Sequence, residues 1–294
     1  MIEKENVKLN ENLELHTTFK VGGICKYFIT PKDIEELIDL LKYLKENKIK
    51  YMILGNGSNT IFSSKEYDGV IINLKNLNSM KIEGKKIYVE AGYQLIKLSM
   101  DALNESLSGL EFAQGIPGNI GGAIFMNAGA YKSDISNLIE TVTFLDEKFE
   151  LKTLTKDELN FSYRKSLFQE HPEYIIISTV LKLEEGIKED IKDLMDRRKD
   201  RRISSQPLDY PSAGSVFRNP SDDIFAGKLI EDLGLKGYKI GGAKISEKHA
   251  NFIINDGGAT GEDIKELINF IKAKVKEKYN IDLHVEQRFI NFEE

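Results

Sequence analysis

The chain has 294 residues, 41% hydrophobic and 30% charged, with a formal net charge of −6 at pH 7. That length suffices for two or three compact units, each with its own core, while the acidic balance excludes a general nucleic-acid binder, which needs a basic face. The single Cys25 excludes an internal disulfide and a multi-cysteine metal site, and His16, His171, His249 and His284 lack ligand-like neighbours at short spacing, so no metal is expected.

The first residues, Met1-Ile2-Glu3-Lys4-Glu5-Asn6, are charged and do not read as a signal peptide. No apolar run approaches the roughly 18–20 residues that span a bilayer. A cytoplasmic location without membrane association is therefore expected. Thr30-Pro31-Lys32-Asp33 reads as a helix start, with a capping threonine and a proline at the first helical position. Ile34, Leu37, Ile38, Leu41 and Leu44 then recur at helical spacing. Tyr51 to Leu54 reads as a buried strand, and Val70-Ile71-Ile72 as another. Met80 to Val89 reads as a hairpin turning at Gly84. A composition shift places a boundary near residue 78. Gln94 to Leu107 reads as a helix ending near Gly109. Thr141 to Leu145 and Tyr174 to Val180 are β-branched runs of strand length. Ile187, Ile191, Leu194 and Met195 give a helix face running into Arg197-Arg198-Lys199-Asp200-Arg201-Arg202, and Ser204-Ser205-Gln206-Pro207 breaks it at a second boundary. A helix over Glu262–Tyr279 and a strand near Leu283–Ile290 close the chain.

Two glycine-asparagine loops carry the functional signal. The first is Leu54-Gly55-Asn56-Gly57-Ser58-Asn59-Thr60; the second is Gly115-Ile116-Pro117-Gly118-Asn119-Ile120-Gly121-Gly122-Ala123. Glycine lacks a Cβ, so its backbone turns sharply and can lie against a ligand. Successive free N–H groups attract anions. Two such loops can cradle a pyrophosphate, which points to a dinucleotide. Either loop alone reads better as a tight turn; the pair, followed by Met126-Asn127-Ala128-Gly129-Ala130, favours a ligand. The G-x-G-x-x-G fingerprint is not matched: Gly55-Asn56-Gly57 has no third glycine, and Ile61-Phe62-Ser63-Ser64 does not read as a helix start. A NAD-type Rossmann domain is thus disfavoured. Gly-Gly-Ala recurs at 121–123, 241–243 and 257–259, but at unequal intervals, so it is no structural repeat.

Thr17-Thr18-Phe19-Lys20-Val21-Gly22-Gly23, the 54–60 loop, Gly115–Tyr131 and Phe161-Ser162-Tyr163-Arg164-Lys165-Ser166 resemble the UDP-N-acetylenolpyruvoylglucosamine reductase family. So do Ser212-Ala213-Gly214-Ser215-Val216-Phe217-Arg218-Asn219-Pro220 and Lys248-His249-Ala250-Asn251-Phe252. The matches run in order over almost the whole chain. The resemblance implies a mixed α/β (α+β) fold: two FAD-binding subdomains of the flavin-oxidase (PCMH/VAO-like) type, here 1–78 and 79–205, and a C-terminal α+β substrate-binding domain, 206–294. It implies non-covalent FAD, walled on one side by Gly55, Asn56, Gly57, Ser58 and Asn59 and on the other by Ile116, Pro117, Gly118, Gly121 and Gly122, with Arg202 reaching the flavin pyrophosphate.

The implied reaction, in peptidoglycan precursor synthesis, uses NADPH to reduce UDP-N-acetylglucosamine enolpyruvate to UDP-N-acetylmuramate. Flavin does the hydride chemistry; the protein must stabilise developing negative charge and supply a proton. By resemblance Arg164 takes the first task, as a planar fork suited to a carboxylate. Ser215 takes the second, since a weak acid suffices toward a strongly basic intermediate. Glu286 matches the family's acidic position, as a hydrogen-bond holder or an acid; the family pattern then has valine, where this chain has Gln287. Lys228, Asn251 and Arg218 are implied to face the UDP-sugar. On the residues alone, Arg164 reads as a surface arginine beside Lys165, Ser212–Ser215 as an ordinary turn and Glu286 as an exposed strand residue. Lys239 and Lys244 read as solvated surface, and His249 as structural. Tyr131 and Tyr163 lie near the flavin or fill the core. The resemblance further implies a monomer.

Two other readings stand beside this one. Another flavin-dependent oxidoreductase of the same fold would carry a larger substrate domain, or a His or Cys flavin tether that neither loop provides. A non-catalytic nucleotide-sugar binding module would explain the loops but not Arg164, Ser215 and Glu286 together.

Overall fold

A computed structural model describes residues 4–292. The chain forms two compact units: one of residues up to 9, 27–56 and 69–201, the other of residues 10–26, 57–68 and 202 onward. These units cut the chain differently from three contiguous blocks. One reason is that Thr60–Phe62, early in the sequence, pairs in parallel with Arg288–Ile290 at its end.

The first unit is built on two larger sheets. Tyr51–Ile53 runs parallel to the strand Tyr67–Ile72, with Tyr51 opposite Val70 and Ile53 opposite Ile72. Helix Ile34–Glu46 buries Leu37, Leu40, Leu41 and Leu44, which share one core cluster with Val70 and Ile72. Its cap is Asp33 rather than the expected Thr30. The Asp33 carboxylate accepts the Glu36 N–H at 2.8 Å, and Glu36 reaches back to the Lys32 N–H at 2.6 Å. A carboxylate three residues from a glutamate closes the first turn from both sides, so it sets the start.

The second sheet is antiparallel, in the order Leu151–Thr155, Ile139–Leu145, Ile175–Lys182, Lys86–Glu90, Met80–Glu83. Its hairpin turns at Gly84-Lys85, with Glu83 opposite Lys86, as the glycine foretold. The stretch between Ile72 and Met80 separates the two sheets within one compact unit. Helix Leu95–Asn104 stops sooner than expected, because Ser106 adopts a left-handed backbone (φ 58°) and Leu107–Ser108 pairs with Glu184–Glu185. Helix Lys188–Ser205 carries the whole Arg197–Arg202 run and buries only Ile191 and Met195, which pack with Leu103.

In the second unit, Lys239–Ile240, Ala243–Ile245 and Ile253–Asn255 form a three-stranded antiparallel sheet. Helix Gly261–Tyr279 is fixed by a capping box between Thr260 and Asp263. It buries Ile264, Leu267, Ile268, Ile271 and Val275, a stripe at three- and four-residue spacing. That stripe shares a core with Phe19, Val21, Ile61, Val216 and Phe217.

Candidate flavin and substrate site

The first loop leaves its backbone N–H groups open, while the carbonyls of Gly55, Gly57 and Asn59 accept from Asn73, Thr18 and Arg288. Among the described residues, the N–H groups of Gly55, Asn56, Gly57, Ser58 and Asn59 make no hydrogen bond. Gly57 is nevertheless buried. A buried amide without a partner, as at Gly57, is costly, and five consecutive open ones, with Asn56 exposed among them, suit an anionic group that supplies acceptors. Gly57 has φ +61°, and a Cβ there would lie 2.1 Å from the His16 carbonyl oxygen. Only glycine meets both demands. The loop's start is held by Asn73, whose amide donates to the carbonyls of Leu54 and Gly55 at 2.9 Å each.

The second loop meets the first within the same unit. Asn56 Nδ2 donates to the Pro117 carbonyl at 2.5 Å. Gly55 lies so close to Asn119 that a Cβ would come within 2.5 Å of its Oδ1. Asn119 caps the short helix Ile120–Phe125 by accepting the Gly122 N–H at 3.1 Å. In contrast to the first loop, much of this backbone is satisfied internally: Ile120 donates to Tyr93, and Gly121 to Ala91 at 2.8 Å. Ile116 donates to Ala113, and Gly118 to Ile116. The open amides of 55–59 are thus the part suited to an anion, with Pro117 beside Asn56 and Asn119 beside Gly55.

Arg164 sits in a tight turn, where Ser162 and Lys165 exchange backbone hydrogen bonds, and it takes a left-handed backbone (φ 57°). Its guanidinium donates to the carbonyls of Asn127 (3.3 Å) and Gly129 (2.7 Å) and lies over the Tyr163 ring. Asn127, almost fully buried, answers by donating to the Ser162 carbonyl at 2.9 Å. The sequence reading assigned Arg164 to a ligand carboxylate alone; the structure gives it a second task, bracing the Asn127–Gly129 segment. Tyr131 belongs to this region too: its hydroxyl donates to the Arg198 carbonyl at 2.9 Å, and the Arg198 guanidinium covers its ring. Arg202, a turn further along that helix, is half-buried.

The second unit brings Ser215, Glu286 and the end of the first loop together. Glu286 N–H donates to the Val216 carbonyl at 2.8 Å, so the two candidates are neighbours across a strand-like pairing that also joins Phe217 to Val285. Asn59 Nδ2 donates to the Glu286 carbonyl at 3.1 Å, and the Arg288 N–H donates to the Asn59 carbonyl at 2.9 Å. Arg218 is placed by its N–H to the His284 carbonyl at 3.0 Å.

Asn251 differs from its expected role as a ligand contact. It is buried, and its side chain is committed to the Phe217 backbone, accepting the N–H at 3.0 Å and donating to the carbonyl at 2.9 Å. Its own carbonyl accepts the Val216 N–H. Asn251 therefore positions the Ser215–Phe217 segment. Lys228 lies exposed on helix Ala226–Asp232, paired with Asp232 at 2.6 Å. Lys239 and Lys244 form exposed pairs with Asp256 and Glu247, which stabilise little.

His249 Nδ1 accepts the Asn251 N–H at 3.2 Å, and its ring meets Phe252 edge-on. Burial pushes its pKa below the usual 6.5; Lys236 adds to this and Glu231 opposes it. The folded state thus resists protonation more than the unfolded state does. The stabilisation from the neutral ring is present above pH 6.5 and is lost as pH falls through the lowered folded value. Melting temperature should accordingly fall more on acidification in the wild type than in a His249→Gln variant; parallel curves would contradict this.

Two larger sheets beside a glycine-asparagine loop with open amides, followed by a C-terminal α+β region, have the make-up of an FAD-binding protein. Residues 25–154 match the FAD binding domain family, and residues 206–290 match the C-terminal domain of UDP-N-acetylenolpyruvoylglucosamine reductase. The chain belongs to the UDP-N-acetylenolpyruvoylglucosamine reductase family. It is 47% identical over 290 residues to the reductase of that name from Caldanaerobacter subterraneus subsp. tengcongensis, covering 99% of this chain and 95% of the relative. It is 44% identical to that of Bacillus licheniformis, covering 98% and 95%. The crystal structure of the Thermus caldophilus reductase superposes with a TM-score of 0.81 at 33% identity, covering 96% of this chain and 97% of that one. The grass-pollen glucose dehydrogenase Phl p 4.0202, at 12% identity and a TM-score of 0.51 over 71% of this chain and 49% of its own, shares the fold alone. Among the described residues, no helix is long and apolar enough to cross a membrane.

Proposed function

We propose that this protein reduces the enolpyruvyl ether of UDP-N-acetylglucosamine to UDP-N-acetylmuramate, with FAD as cofactor and NADPH as reductant. The observation that supports the reading is the Glu286–Val216 hydrogen bond, one residue along from Ser215, with Asn59 of the open-amide loop bonded to the Glu286 carbonyl. Bound FAD supplies hydride, taken from NADPH, to the methylene carbon of the substrate. The amides of 55–59 hold its pyrophosphate, and Arg202 adds positive charge. Arg164 binds the substrate carboxylate, where negative charge spreads as the carbon–carbon double bond is reduced; a guanidinium offers two parallel donors to it. Ser215 Oγ–H gives its proton to the carbon bearing the ether oxygen and is reprotonated from solvent. Glu286 keeps the serine in register and shares the hydrogen bonds around it. Arg218 and Lys228 serve the diphosphate, with Asn251 fixing the backbone beneath. A monomer in the cytoplasm, where NADPH and nucleotide sugars are available, completes the reading.

The direct check is product analysis. Incubation with NADPH and the enolpyruvyl substrate should yield a UDP-sugar heavier by two hydrogens, with NADPH consumed one for one. NADPH consumption without that product would indicate a different flavin oxidoreductase; no consumption by flavin-loaded protein would indicate a binding module.

A further inference from the structure

Gln287 is a buried polar side chain with a hydrogen bond that a hydrocarbon side chain could not make. Its side chain is only 4% exposed. Its Nε2 donates to the Ala213 carbonyl at 3.0 Å and lies 3.5 Å from the Gly214 carbonyl. These are the two residues before Ser215. Gly214 itself has φ +75°, and a Cβ there would meet nothing within 4 Å. The turn is therefore not held by packing around Gly214. Ala213 packs into the core beside it, and hydrogen bonds tie the turn at both ends: Val216 to Asn251 on one side and Gln287 on the other.

The amide orientation is fixed by this arrangement. Turning the amide over would set its oxygen against the Ala213 carbonyl, so the nitrogen must face the turn. Gln287 Oε1 is then left buried without a hydrogen-bond partner among the described residues. A chain that retains a buried, half-satisfied amide in place of a hydrocarbon side chain forgoes stability. Such a cost is typical of functional positions, where one well-aimed contact outweighs a better-packed one.

We propose that Gln287 is a positioning residue for the proton donor: it clamps the Ala213-Gly214 turn and so aims the Ser215 hydroxyl. Glu286 and Gln287 then divide the task between them. The Glu286 backbone registers Val216 from one side, and the Gln287 side chain fixes the turn from the other. The inference rests on the proposed reductase reading.

The variant to make is Gln287→Met, which keeps volume and removes the donor. In the flavin-free protein, amide hydrogen exchange of residues 211–217 should accelerate while that of helix Gly261–Tyr279 stays unchanged. In the flavin-loaded enzyme, reduction by NADPH should keep its wild-type rate. Reoxidation by the enolpyruvyl substrate should slow about ten- to a hundredfold, the scale of a small misplacement of a reacting group. Unchanged exchange over 211–217, or reoxidation at the wild-type rate, overturns the proposal. So does a general loosening, in which helix 261–279 exchanges faster and both half-reactions fall together. A wild-type enzyme that the substrate cannot reoxidise would instead sink the reductase reading itself.

Discussion

Replacing Ser215 with alanine should leave the first half of the reaction intact and nearly abolish the second. NADPH should still bleach the flavin at the wild-type rate, because hydride arrival requires no serine proton. Reoxidation by the enolpyruvyl substrate should slow by about 10²–10⁴, the usual worth of a positioned general acid. The substitution should fold normally. Ser215 is only half-buried, its segment is tied through main-chain groups of Val216 and Phe217, and alanine disturbs none of those. Stopped-flow absorbance with each reactant added alone separates the two halves. Equal slowing of both, or of neither, would remove Ser215 from the role of donor.

Substituting Gly57 should act on the cofactor instead. The residue combines a left-handed backbone with a position where any Cβ lies 2.1 Å from the His16 carbonyl oxygen and 2.8 Å from the Thr17 Cα. Both obstacles are backbone atoms and cannot swing aside. The conformation alone costs a side-chain-bearing residue about 1–2 kcal/mol, and the collision adds to that. The loop must shift, and the five open amides with it. Gly57→Val should therefore bind FAD at least about tenfold more weakly, since each 1.4 kcal/mol is a factor of ten. Flavin content after purification and a fluorescence titration would measure this. Wild-type flavin affinity in that variant would mean the loop does not grip the nucleotide.

The legible parts of the sequence were those governed by local pattern. Helix Gly261–Tyr279 and the hairpin around Gly84 follow from spacing and turn chemistry within a few residues. The two glycine loops stood out in the sequence, yet the difference between their backbones did not. Which backbone amides stay open depends on where Tyr93, Ala91 and Ala113 carbonyls arrive. Helix boundaries failed where two local signals competed, as at Thr30 against Asp33, or where a strand pairing intruded, as at Leu107. The division into units was hidden for a plainer reason. Ser63 donates to the carbonyl of Asn291, 228 residues away, and no window of sequence reveals such a partner.

The candidate residues divide along the same line. Ser215 and Glu286 came from resemblance, and the structure supplies the Val216 hydrogen bond that makes them neighbours. Asn251 looked like a polar residue awaiting a ligand; only coordinates show both ends of its amide used by Phe217. Asn73, Asn119 and Asn127 were passed over as positioning residues. All three are asparagines whose amides hold loop carbonyls or amides, a pattern visible afterwards in the density of asparagine around both loops.

In the proposed reaction electrons pass from NADPH to the enolpyruvyl sugar by way of a flavin held by this chain. Anaerobic visible spectra of the flavin-loaded protein, with reactants added in sequence, test that most directly. NADPH alone should erase the oxidised flavin bands, and the enolpyruvyl substrate, added next without oxygen, should restore them within a turnover. Bands that stay bleached after the second addition, in protein that NADPH reduces readily, would contradict it.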